Sequence, residues 1–221
     1  LPCIALGLAP FIMQFTEAVI AVCFNSNLYK YGGDTAVGAM TILTSIMQFS
    51  MLPLQGLTQG SQPIISYNFG AGNFDRIKKT FKLLVISCLS FSTLIWAISM
   101  FAPKLFIMIF ANSPELIDYS IWAVRIYMAV SCIFGIQIAC QQTFIAIGNA
   151  KISMFLALLR KVFLLIPLIF ILPAFFEDKA FAVFLAEPIA DFFAVVTTAS
   201  MFIYTFKKLG VNKENVMDSS K

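Results

Sequence analysis

Residues 35–74 form an unbroken run of forty positions without a charged side chain. A water-exposed surface cannot be built from such a run, and the rest of the chain repeats the pattern. Residues 1–29 carry one charge, Glu17; residues 83–103 and 126–150 carry none; residues 180–206 carry only Glu187 and Asp191. Composition agrees, with 60% apolar residues, 12% charged residues and a mean hydropathy of +0.89. A soluble domain carries about 25% charged residues, so a soluble enzyme is excluded, and so is disorder, which needs low hydrophobicity. The chain reads as an all-α membrane protein. Its 221 residues accommodate about six spans of ~20 residues with their loops.

Two further features narrow the chemistry. Histidine is absent, which removes the commonest general base and metal ligand; no metal site or cofactor is expected. The five cysteines lack C-x-x-C spacing and read as small apolar fillers. The chain opens Leu1-Pro2-Cys3 without a charged leader, inside an apolar segment, so it reads as the later half of something longer.

The charge-free windows place helices at about 5–29, 36–66, 80–102, 120–147, 152–176 and 180–206. Residues 1–206 form one transmembrane lobe and residues 207–221 a polar tail. Alternation of sides puts eleven of the fifteen basic residues on one face, including Arg76, Lys78, Lys79, Arg160 and Lys161. That face is cytoplasmic by the positive-inside rule, the C-terminal tail with it, and the membrane is the cell (inner or plasma) membrane. The same asymmetry explains a net charge of +4 through the lipid bilayer as partner, without nucleic acid. Arg160 and Lys161 are expected to snorkel to headgroups from an interfacial lead-in to the fifth span.

A polar side chain facing hydrocarbon is costly, so intramembrane polar residues should face a partner or a wet cavity. In the first helix Gln14, Glu17 and Asn25 fall within about 80° of one another. Glu17 stands at mid-span with no basic neighbour in sequence; it is either a cation site or a structural acid paired outside the chain. In the second helix Thr41, Thr44, Ser45, Gln48, Gln55, Gln59 and Gln62 share a face within about 60°. Pro53 and Pro63 remove amide donors there, and Gly56 and Gly60 form a G-x-x-x-G that permits close backbone approach. The fourth helix sets Gln137, Gln141 and Phe144 on nearly one face, either a cavity wall or packed core. The last helix aligns Glu187 and Asp191, possible secondary acids near its outer end.

Pro53-Leu54-Gln55-Gly56-Leu57-Thr58-Gln59-Gly60-Ser61-Gln62-Pro63, continuing to Gly70-Ala71-Gly72-Asn73, resembles the eighth-helix signature of the MATE (multidrug and toxic compound extrusion) transporters. Tyr31-Gly32-Gly33-Asp34 resembles the turn between that family's helices seven and eight, and Leu159-Arg160-Lys161 through Pro167 the start of helix eleven. The resemblance covers nearly the whole chain. It implies the second six-helix lobe of a twelve-helix transporter that exchanges protons or sodium ions for organic cations, with the first lobe as missing partner. Glu17 matches the position of the family's helix-seven cation-site carboxylate. The helix-ten aspartate of the sodium-coupled branch is absent from residues 134–148, so the resemblance implies proton coupling rather than sodium.

The expected mechanism is alternating access around a cavity lined by Gln14, Asn25, Gln48, Gln55, Gln59, Gln137, Gln141 and Phe144. Glu17 would be neutral in one state and charged in the other. The alternatives are a flippase of the same superfamily for lipid-linked cargo, disfavoured by the lack of a mid-membrane Lys or Arg, and an inert half-transporter. A membrane-embedded enzyme would need a nucleophile beside Glu187 and Asp191, and none stands near them in sequence.

Overall fold

A computed structural model of the chain describes residues 2–111 and 113–218, with side-chain surroundings for 11, 14–111, 113–149 and 151–206. The elements run α1 (Pro2–Gly70), α2 (Phe74–Phe101), α3 (Pro103–Phe110), α4 (Pro114–Tyr127), α5 (Ser131–Ala146), α6 (Ala150–Leu158), a π-helical segment (Leu159–Leu165), α7 (Ile166–Ile171), a 3-10 turn (Leu172–Ala174) and α8 (Lys179–Asp218). Helices at Gln14–Gly70, Phe74–Phe101, Lys151–Ala174 and Lys179–Phe206 are long and apolar enough to cross a membrane. The bent pair α4 and α5 makes a fifth.

A straight α1 would extend about 100 Å, more than three times the ~30 Å hydrocarbon core. It is divided at Gly33, whose φ of 65° and ψ of −159° are open to glycine and strained for other residues. The turn expected at residues 31–34 is therefore a single-residue break, giving arms 2–32 and 34–70. Helical geometry continues through Pro53 and Pro63. With α1 counted as two arms, the six expected spans are present, and the chain is a multi-pass membrane protein of all-α class.

Two Gly-Asn pairs end helices in the same way. Gly72 (φ 71°) and Gly148 (φ 82°) are left-handed. Asn73 N–H donates to Asn68 C=O at 2.9 Å and Asn149 N–H to Phe144 C=O at 2.8 Å. This six-to-one closure satisfies carbonyls that a helix end leaves orphaned. Gly70 and Gly72 of the eighth-helix motif thus serve a C-cap. Gly56 and Gly60 are exposed, and a Cβ at either meets nothing within 4 Å; the close approach expected of this G-x-x-x-G has no partner helix among the described residues.

The expected fourth helix, 120–147, is instead two helices bent by 52° between Tyr127 and Ser131. The bend frees carbonyls that would otherwise be unpaired in lipid. Trp96 Nε1 donates to Ala129 C=O at 3.0 Å and Ser131 Oγ to Met128 C=O at 2.8 Å. Beyond the bend, α5 lies close against α2 at Gly135. A Cβ there would sit 2.6 Å from the Cys88 carbonyl oxygen, and Ser92 Oγ donates to Cys132 C=O at 2.8 Å.

Two apolar clusters result. One joins both arms of α1 (Phe24, Leu28, Leu43, Ile46) to α4, α7 and α8. The other joins the far end of α1 (Leu54, Ile65) to α2, α5 and Phe202 of α8. The fifth span is where expectation and structure part most. Residues 151–161 are not an interfacial lead-in: Arg160 is buried ten residues into the span, inside the π-helical segment. The polar tail begins where side-chain description ends, and residues 219–221 lie outside the described residues.

Candidate functional site

Glu187 and Asp191 are four residues apart on α8, so both face the same neighbour. That neighbour is Arg160. Its Nη2 donates to Glu187 Oε1 at 2.7 Å and its Nε to Asp191 Oδ1 at 2.5 Å. The Arg160 guanidinium also stacks over the Phe134 ring of α5, 4.7 Å from its centroid. Exposure is 8% for Arg160, 5% for Glu187 and 3% for Asp191. These acids are therefore buried and not partly hydrated, and the fifth span carries a buried arginine within its apolar stretch. Each ion alone would carry a large desolvation penalty in this setting; the forked guanidinium offsets it with two charge-assisted hydrogen bonds.

The π-helical turn makes this possible. Seven residues in wider i→i+5 geometry are rare and concentrate at functional sites. Here the segment turns Arg160 toward α8 while Lys161, the next residue, reaches α1. Lys161 Nζ forms an ion pair with Glu17 Oε1. Glu17 lies at the midpoint of the first arm and is not a lone acid. Its partner is a lysine from the fifth span, invisible to any reading of local sequence. Unlike the α8 acids, its side chain is 52% exposed, with Lys161 at 18%.

The other expected cavity residues divide into two groups. Gln14 and Asn25 are exposed with Glu17 on the first arm of α1, and Gln48, Gln55 and Gln59 are exposed on the second, a polar stripe on each arm. The hydroxyls of Thr41, Thr44 and Ser45 turn back onto their own helix carbonyls, so the glutamines carry the free hydrogen-bonding capacity of that stripe. Gln137, Gln141 and Phe144 of α5 do not join it. Phe144 is fully buried and meets the Phe202 ring at 5.2 Å, which makes it packed core and not cavity wall. Gln137 is buried, and its Oε1 and the Gln141 Nε2 lack hydrogen-bond partners. Gln142, pointing elsewhere, donates to Gln62 Oε1 at 2.9 Å.

Comparisons with known proteins bear on the fold and the family. The family model described as MatE matches residues 10–171. The multidrug export protein MepA of Staphylococcus haemolyticus is 23% identical over 216 residues, 96% of this chain and 46% of MepA. The MATE multidrug transporter DinF-BH, whose structure was solved as a complex, is 32% identical, with a TM-score of 0.76 over 90% of this chain and 44% of that one. An inward-facing MATE transporter of the MOP superfamily, 15% identical, has the same fold, with a TM-score of 0.85 over 92% of this chain and 47% of that one. The chain thus spans about half the length of the relatives it matches. A multi-pass lobe of helices, matched over most of its length by the family model, identifies this chain as a member of the MatE family.

Proposed function

We propose that this chain is the C-terminal half of a cation-coupled multidrug efflux antiporter in the cell membrane, its C-terminus cytoplasmic, exporting organic cations by alternating access. The single observation that carries the reading is the Glu17–Lys161 pair at mid-span on an exposed face, with Gln14 and Asn25 exposed on the same arm and Gln48, Gln55 and Gln59 exposed on the next. A carboxylate flanked by amides can receive an organic cation, and a lysine counter-ion can be displaced from it. A second lobe facing α1 would close the hollow and give the exposed stripe and the open Gly56 and Gly60 a partner.

Lys161 changes how Glu17 works. The carboxylate does not need a proton to be neutral in the membrane, because the lysine balances it. When an organic cation takes the lysine's place, one positive charge must leave the lobe if its net charge is to stay constant through the conformational swing. Constant charge matters because an unbalanced ion in low dielectric carries a steep penalty. Proton exit satisfies that condition, which makes the exchange an antiport. Arg160 is engaged by two carboxylates and buried, so it offers nothing to a pyrophosphate-bearing lipid; this supports cationic over anionic cargo.

The test is Glu17→Gln in the two-lobe transporter reconstituted in vesicles with an imposed pH gradient. Cationic dye efflux is expected to fall to background while the protein inserts normally. Efflux at the wild-type rate would overturn the reading. Vesicles holding only these 221 residues are expected to show no efflux, because half a hollow has no second wall.

A further inference from the structure

Two cations, Arg160 and Lys161, face three carboxylates, Glu17, Glu187 and Asp191. Fully ionised, the five groups hold one negative charge in excess, most of it inside the lobe. A buried net charge is costly unless it is neutralised. We propose that the Glu187–Asp191 pair stores one proton beside Arg160, and that Lys161 is the switch linking this proton to cation binding at Glu17. The proposal rests on the reading of Glu17 as the cargo carboxylate and adds where the exchanged proton resides.

With Lys161 paired to Glu17, Arg160 is shared by one carboxylate and one carboxylic acid, and the five groups are neutral. An organic cation pairs with Glu17 and releases Lys161. The ammonium turns toward the second α8 carboxyl, which gives up its proton to solvent. The end state holds Arg160 and Lys161 opposite Glu187 and Asp191, and the bound cation opposite Glu17; it is again neutral. One cation enters and one proton leaves.

Three observations support this route. Arg160 and Lys161 are adjacent residues of one π-helical segment, so a small change of winding moves their side chains relative to each other. Arg160, the residue next to Lys161, holds both Glu187 and Asp191, so the carboxyl pair lies beside the lysine's own stretch of backbone. Thr198 Oγ1, fully buried two turns beyond Asp191 on the same face of α8, has no hydrogen-bond partner; it extends the polar face along which a proton can pass. Among the described residues, the charged or titratable groups that act on the Glu187–Asp191 pair are Arg160 and Lys161 from the fifth span and Tyr127 from α4. The neutral Phe134 ring covers Arg160 from α5.

The experiment uses the two-lobe transporter in detergent with tetraphenylphosphonium as the organic cation, in weak buffer with a pH indicator. Wild type is expected to release about one proton per cation bound. Glu187→Gln, which keeps the acceptor oxygen for Arg160, is expected to bind the cation and release none. Lys161→Gln, which removes the switch without touching the buried trio, is expected to bind the cation and likewise release none. Proton release at the wild-type level in Lys161→Gln overturns the proposal, and so does release at that level in a folded Glu187→Gln. Failure of the underlying reading looks different: Glu17→Gln would then bind the cation as tightly as wild type.

Discussion

Two acid sites in this lobe share the fifth span and differ in almost everything else. On α8, Glu187 and Asp191 are buried and gripped by an arginine. On α1, Glu17 is half exposed and held by a lysine. An arginine fork fixes geometry and stays charged, whereas a lysine is a mobile point charge that can exchange partners. The α8 site therefore ties α8 to the fifth span with fixed geometry. The α1 acid is paired within the chain as well, but its side chain is half exposed.

The largest effect is expected on the framework side. Arg160→Leu strands the buried α8 acid pair, and loss of one partner in a buried ion cluster costs about 3–5 kcal/mol. Thermal unfolding in detergent is expected to show a strongly destabilised or unrecoverable protein; unchanged stability would mean that the trio does not hold α8 to the fifth span. Next comes the tight α2–α5 contact. Gly135→Ala drives a methyl into the Cys88 carbonyl and should cost about 1–3 kcal/mol. Gly56→Ala and Gly60→Ala, with open space around them, should be neutral or slightly stabilising in this chain by the same assay. A penalty at Gly56 or Gly60 as large as at Gly135 would show that the face is already covered.

Smaller effects are expected on the outward side. Glu17→Gln removes the half-exposed partner of a largely buried lysine and should cost less than Arg160→Leu, about 1–2 kcal/mol, despite its expected effect on transport. That separation of stability from function is the signature of a binding residue. Smallest of all, Gln142→Leu deletes an interhelical amide bond to Gln62 worth about 0.6 kcal/mol, visible as a slight shift in the same unfolding curve.

The architecture was legible in the sequence because hydrocarbon imposes it: charge-free windows must become spans, and they did. What failed was pairing at a distance. Arg160-Lys161 at the head of an apolar run has the pattern of snorkelling residues, and nothing local distinguishes that from a π-turn that buries one and sends the other to α1. The missed signal lay in α8, where two intramembrane acids at i and i+4 require a cation somewhere. Likewise, the periodicity that put Phe144 beside Gln141 is the same for core and cavity. Phe202 covers Phe144, and no reading of α5 by itself identifies that neighbour. Glu17 and the α1 glutamines are exposed, as residues of an open face would be, but the lysine opposite Glu17 lies on another span and has no local signal.

Whether Glu17 receives the cation is measured most directly by calorimetric titration of tetraphenylphosphonium into the two-lobe protein carrying either Glu17 or Gln at that position. Glu17→Gln is expected to lose at least about tenfold in affinity, equivalent to about 1.4 kcal/mol, with an unfolding temperature close to wild type. Equal affinity in the two proteins would contradict a cation-binding role for this carboxylate.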